Sequence, residues 1–151
     1  MAERIFFLAD DDSDDRDLFC EALAGIDKSI RSYTAENGRD ALNVLHDMPQ
    51  RPELIFLDIN MPLMNGWQCL ARIHSDNSYK HIPVVVISTS SYDREINNAE
   101  RYGAQYYLTK PHDYRDFINI LTAFIQNPGE KLKPALERLQ AEGSKYIHVV
   151  S

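Results

Sequence analysis

The chain has 151 residues, 44% of them hydrophobic, which is enough for one globular core and too few for two of ordinary size. Its formal charge is −7, and its 16 Lys and Arg residues form no basic stripe, which argues against nucleic acid as a partner. No apolar segment approaches the roughly twenty residues of a membrane span and no basic, apolar leader opens the sequence, so a cytoplasmic protein without a membrane partner is expected.

Arg4 to Ala9 is a nearly continuous apolar run of the kind that suits a strand buried on both faces. Leu18, Phe19, Ala22, Leu23 and Ile26 then form a helical stripe, with Ser13 placed as its N-cap and Gly25 at its stop. Ile30 to Tyr33 is a weaker second strand. Asn37 caps a second helix with inward positions Ala41, Leu42, Leu45 and Met48. Leu54 to Leu57 is the third strand, and Trp67, Leu70, Ala71 and His74 mark the third helix, where Trp67 reads as packing. Val84 to Ile87 is the fourth strand, followed by a helix with Ser91 as its cap and Gly103 at its end. Tyr106 to Thr109 is the fifth strand, and Phe117, Ile118, Leu121, Phe124 and Ile125 mark the fifth helix. Five such units imply an α/β fold, a doubly wound five-stranded parallel sheet with helices on both faces, because right-handed crossovers leave few other solutions.

Asn127-Pro-Gly129 breaks the alternation and divides the chain into a domain of residues 1–127 and an extension of residues 128–151. In the extension Leu132, Leu136 and Leu139 suggest a short amphipathic helix started near Pro134, followed by the β-prone Tyr146 to Val150. Cys20 and Cys69 lie in helical segments without CxxC or His-paired spacing and read as reduced thiols.

In open parallel sheets the binding crevice lies beyond the carboxyl ends of the strands. The residues ending the predicted strands are Asp10 and Asp11, Asp58, Ser88 and Lys110. Carboxylates crowded in this way repel one another unless a cation sits among them, and hard oxygen donors with few protein contacts suit Mg²⁺. An aspartate is a competent nucleophile toward phosphorus once its charge and that of the phosphate are neutralised, which the cation and Lys110 would supply. No general base is needed, and none of the five histidines shows ligand spacing.

Asp10-Asp11, the segment Leu57-Asp-Ile-Asn-Met-Pro-Leu-Met-Asn-Gly66, Ser88-Thr89 and Lys110-Pro111 together resemble the signature of receiver domains of two-component systems, over residues 4 to about 126. The resemblance implies a flavodoxin-like strand order 2-1-3-4-5 and Asp58 as phosphoacceptor. It implies Mg²⁺ held by Asp11, Asp58 and the backbone carbonyl of Asn60, with Asp10 holding a metal-bound water. Ser88 and Lys110 would bind phosphoryl oxygens, and the Lys110–Pro111 peptide would be cis. The donor would be a histidine kinase or a histidine phosphotransfer protein, and the only reactions catalysed would be the chain's own phosphorylation and dephosphorylation. Ser88 and Tyr107 would form a switch pair that reshapes the face of the fourth helix, fifth strand and fifth helix for a downstream protein or a second copy of the chain.

Thr89 departs from the family's usual small residue and would crowd the phosphoryl group, and with Ser90 and Asn60 it would tune the access of water. Gly66 reads as a positive-φ position in the loop after Asp58. Asp12, Asp14, Asp15 and Asp17 read as a solvated acidic start to the first helix, favourable to its dipole.

Two rival chemistries use similar residues. Asp10, Asp12, Asp14 and Glu21 fall at the first, third, fifth and twelfth positions of an EF-hand calcium loop, but Asp15 stands where the turn wants Gly, and a strand precedes it. A phosphatase of the haloacid dehalogenase type also uses a strand-end aspartate and Mg²⁺, but wants a second Asp where this chain has Asn60.

Overall fold

The computed structural model describes residues 3–89 and 93–150. In chain order the elements are β1 (Arg4–Ala9), α1 (Ser13–Ile26), β2 (Ile30–Ala35), α2 (Gly38–Asp47), β3 (Leu54–Asp58), α3 (Gly66–His74), β4 (Val84–Ser88), α4 (Asp93–Tyr102), β5 (Tyr106–Thr109), α5 (Tyr114–Gln126), a 3-10 turn at Gly129–Lys131, α6 (Leu132–Ala141) and β6 (Ile147–Val149). The sheet order is β2-β1-β3-β4-β5-β6. The first five strands are parallel, in the order and class expected. A sixth strand is added: β6 runs antiparallel along the outer edge of β5, pairing Tyr106 with Val149, Tyr107 with His148 and Leu108 with Ile147.

Strands β1, β3 and β4 are apolar on both faces because both faces are covered. Phe6, Leu8, Phe56, Val85 and Leu108 pack with Phe19, Leu23, Leu121 and Phe124 on the side of α1 and α5. Phe7, Ile55, Leu57, Val84, Val86 and Tyr107 pack with Ala41, Leu45, Leu70, Ile73 and Ala99 on the side of α2, α3 and α4. The extension belongs to the first of these cores: Leu132, Leu136 and Ile147 are buried in it. Gly143, at φ 100°, turns the chain back after α6 and delivers β6 to the edge of β5.

Several local expectations shift. The N-cap of α1 is Asp12, whose side chain accepts from the N–H groups of Asp14 and Asp15, so Ser13 is the first helical residue. Gly25 lies inside α1, which runs one residue further. Of the α1 stripe, Leu18 is 41% exposed, while Phe19, Ala22 and Leu23 are buried. In α3 the inward positions are Cys69, Leu70 and Ile73; Ala71 is exposed, and Trp67 is half-buried and stacked on Tyr102. Asn37 caps α2 as expected, accepting from the Asp40 N–H, and Gly103 ends α4 at φ 84°. Both cysteines are free thiols. Every peptide bond among the described residues is trans, Lys110–Pro111 included. Ser90 and Ser91 lie outside the described residues.

Candidate functional site

The parallel strands β1, β3, β4 and β5 all end at one edge of the sheet, and their last residues or immediate successors converge there. Asp10 follows β1, where its N–H donates to the Ala35 carbonyl at 3.0 Å and its Oδ1 accepts from the Asp12 N–H at 3.0 Å. Asp58 is the last residue of β3, and its Oδ1 accepts from the Asn60 N–H at 3.2 Å. Asp10 and Asp58 are buried, Asp11 is exposed, and one carboxylate oxygen from each of the three lies within 4.8 Å of the others. Lys110 follows β5, with its backbone N–H held by the Ser88 carbonyl at 2.8 Å. Its ammonium donates to Asp10 Oδ2 at 3.0 Å and to Asp15 Oδ2 at 2.8 Å, and stands 3.6 Å from Asp58 Oδ2.

The electrostatics follow from this crowding. Burial, then the neighbouring charge of Asp10, push the Asp58 carboxyl up to about 7, against the opposing pull of Lys110 and the Asn60 N–H. Burial alone would lower the Lys110 ammonium, but its hydrogen bond to Asp15 and the charges of Asp58 and Asp10 outweigh it and hold the group above its usual range. Three hard oxygen donors facing one point, two of them buried and one held short of full ionisation near neutral pH, fit a divalent cation.

The loop after Asp58 is fixed by close approach. A Cβ at Gly66 would stand 2.4 Å from the Asp58 carbonyl oxygen, and one at Gly38 would stand 2.3 Å from the Met64 carbonyl oxygen. Gly66 is therefore required by proximity rather than by a positive φ; the positive φ in this loop belongs to Leu63, at 65°. Asn65 closes the loop into α3 through a capping box with Gln68.

Ser88 and Tyr107 are both buried. Burial raises the Tyr107 hydroxyl above its ordinary range, a hydrogen bond with Ser88 acts in the opposite direction, and the charge of Glu95 adds to the rise. The ring of Tyr107 already lies inside the core on the α4 side. Asn60 and Thr89 are exposed at the strand ends.

Asp15 is the residue that the acidic run concealed. It pairs with Lys110 instead of facing solvent alone. Its position carried a signal: Asp15 stands three, four, seven and eight residues before Leu18, Phe19, Ala22 and Leu23, so it lies on the stripe that faces the sheet. A carboxylate on such a stripe calls for a cation beside it.

The calcium-loop alternative does not fit this geometry. Helix α1 begins at Ser13, Asp12 is spent as its cap, and Asp14 and Glu21 are strung along the helix rather than wrapped around one point. Among the described residues, no helix is long and apolar enough to cross a membrane.

Residues 6–122 match the family model described as the response regulator receiver domain. The crystal structure of the phosphorylated cyanobacterial phytochrome response regulator RcpA is 33% identical, with a TM-score of 0.73 over 80% of this chain and 90% of that one. The Mn²⁺-bound form of response regulator Rcp1 is 27% identical, with a TM-score of 0.69 over 79% of this chain and 89% of that one; Rcp1 comes from Synechocystis. Similarity to ycf29 of Pyropia yezoensis, 31% over 100 residues, spans 66% of this chain and 44% of that protein.

Proposed function

Because this chain belongs to the response regulator receiver family, a family of phosphoacceptor modules in two-component signalling, we propose that Asp58 takes the phosphoryl group and that Mg²⁺ is the cation held beside it. The observation that carries this reading is the Lys110 ammonium 3.6 Å from a buried Asp58 carboxylate, inside a cluster with Asp10 and Asp11. In this reading Asp11, Asp58 and the carbonyl of Asn60 ligate the cation, and Asp10 holds one of its waters. When bound there, a divalent cation would supply charge neutralisation for Asp58 and the incoming phosphate. An Asp58 oxygen forms the new bond to phosphorus as the bond to the donor's leaving atom breaks, and the leaving group departs with the electron pair. Lys110 and Ser88 donate to the equatorial oxygens of the transferring group. Thr89, exposed at the end of β4, narrows the approach to Asp58, and Asn60 and Ser90 tune the access of water.

The donor is a phosphohistidine, on a kinase or a histidine phosphotransfer protein, and the chain acts on no substrate other than its own Asp58. Its output is the population shift of the Ser88–Tyr107 pair, read by a downstream protein or a second copy on the face of α4, β5 and α5. Residues 1–127 form the receiver unit in this reading, and residues 128–151 extend that face with α6 and β6. A cytoplasmic location accords with a kinase-borne donor.

The test is intact-mass analysis after incubation with acetyl phosphate. One phosphoryl group should appear on the wild-type chain only when Mg²⁺ is present, and none on Asp58→Asn. Undiminished modification of the variant would overturn the assignment.

A further inference from the structure

Lys110 carries three N–H donors, and its two short contacts are both to carboxylates other than the reacting one: Asp15 at 2.8 Å and Asp10 at 3.0 Å, against 3.6 Å to Asp58. Asp10 has a second demand on it, as part of the carboxylate cluster that fits a cation. Asp15 has no such role. It stands in the first turn of α1, with its N–H donating to the Asp12 cap, so its carboxylate is fixed to a rigid element and meets Lys110 from α1.

Directly beside this ion pair is a cavity of about 230 Å³, walled by Leu8, Phe19, Ile87, Leu108 and Pro111 with Lys110 and Asp15 on its lining. An apolar cavity of that size leaves the lysine's methylene stem room to swing without displacing packed side chains.

We infer that Asp15 is a positioning residue for phosphoryl transfer: a latch that draws Lys110 toward α1 and must give it up before the ammonium can serve a phosphoryl group on Asp58. The inference rests on the phosphoacceptor reading above. Its physical basis is competition. A phosphoryl group on Asp58 needs the Lys110 donors that Asp15 holds, and the Asp15 carboxylate, left without its cation, then faces a second anion across a short gap. Both effects act against the phosphorylated form and against the transition state leading to it. Asp15 thus sets a brake on modification that is not supplied by the cation ligands.

The experiment uses the full chain in saturating Mg²⁺ and follows the initial rate of Asp58 modification by acetyl phosphate by intact mass. In this reaction an Asp58 oxygen bonds to phosphorus, the bond between phosphorus and the acetyl oxygen breaks, and acetate leaves. Equilibrium binding of beryllofluoride, a phosphoryl mimic that bonds to a carboxylate oxygen, is measured in parallel by calorimetry. Asp15→Asn should raise both the rate and the beryllofluoride affinity by roughly tenfold, an ordinary size for coupling between two sites. Asp14→Asn removes the same charge from an exposed neighbour in the same helical turn, and should change either quantity by less than about twofold. Asp15→Glu should return both toward wild type, and in a Lys110→Ala background Asp15→Asn should have no effect, which a general structural role would not produce. Thermal unfolding of each variant verifies that the fold is intact.

Equal effects of Asp15→Asn and Asp14→Asn, an Asp15→Asn chain that reacts more slowly than wild type, or an effect that survives without Lys110 would each overturn the latch while leaving the phosphoacceptor reading in place. A wild-type chain that takes neither probe on Asp58 would overturn both.

Discussion

The two faces of the sheet are packed by different means. On the side of α1, α5 and α6, aromatic rings meet in a chain: Phe56 lies edge-on to Phe19 at 5.3 Å and to Phe124 at 5.2 Å, and Phe124 continues edge-on to Tyr106 at 6.1 Å. On the side of α2, α3 and α4 the buried set is mainly aliphatic, its fully buried rings are Phe7 and Tyr107, and the Tyr107 ring carries a hydroxyl bonded to Ser88. Helix α4 contributes only small or half-buried apolar residues there, Ala99 and Ile96. One face is thus an interlocked hydrocarbon core that resists rearrangement, and the other holds the buried Ser88–Tyr107 hydrogen bond under a lightly anchored helix. The difference teaches where a change at Asp58 can travel at low cost: toward α4.

This contrast can be broken most severely at Phe56. Phe56→Ala should lower the unfolding free energy by about 3–5 kcal/mol, and Ile96→Ala by only about 1–2 kcal/mol, as measured by urea denaturation. Equal losses would mean that α4 is as firmly packed as α1.

The pH dependence of stability is the next largest effect and belongs to the strand ends. Asp58 sits at about 7 in the folded chain against an ordinary value of 3.8, so the folded state binds the extra proton. Its contribution to stability is complete below about 4 and is lost as pH rises to about 7, with a slope approaching 1.4 kcal/mol per pH unit at most. Lys110 is raised as well, so its contribution is complete below its unfolded value of 10.5 and does not oppose this trend between pH 4 and 8. Metal-free protein should therefore lose melting temperature from pH 5 to pH 8, and Asp58→Asn or millimolar Mg²⁺ at pH 8 should recover it. A flat profile for the wild type would show that Asp58 is already neutralised by its surroundings.

A smaller effect is expected at Tyr107. Tyr107→Phe keeps the ring and removes the bond with Ser88, which should cost about 0.5–1.5 kcal/mol. A double-mutant cycle with Ser88→Ala should be less than additive, since both changes remove the same bond. The smallest effect belongs to Leu18, already 41% exposed: Leu18→Ala should stay within about 0.5 kcal/mol in the same denaturation assay, and a larger loss would place it in the aromatic core.

Much of this was legible in the amino-acid order. The strands announced themselves because a strand covered on both faces must be apolar throughout, and once they were placed, Asp10, Asp11, Asp58, Ser88 and Lys110 fell together at one edge. Asp15 was not legible as a partner of Lys110 because five neighbouring carboxylates mask the one that lies on the core stripe. Gly66 was recognised as constrained but for the wrong cause, since the carbonyl it approaches belongs to the end of β3 and only the folded loop brings it near. The strand character of Tyr146 to Val150 was visible while its pairing was not: an antiparallel edge contact with β5 depends on the reversal at Gly143 and on the docking of α6. The one-residue error between Ser13 and Asp12 arose because both side chains are good caps, and hydrogen-bond geometry alone separates them.

The direction of β6 has a practical consequence for anyone who tethers or labels this protein. β1 begins at Arg4 and runs toward the carboxylates, whereas β6 starts beside Thr109, whose N–H donates to Tyr146, and runs away from them, its last bond joining the Val150 N–H to the Gln105 carbonyl. The free ends of the first and last strands in the chain, β1 and β6, therefore both lie at the pole opposite Asp58. A fluorescent protein, a biotin anchor or a bead joined ahead of Arg4 or beyond Val150 should therefore sit at the end of the sheet away from the carboxylates.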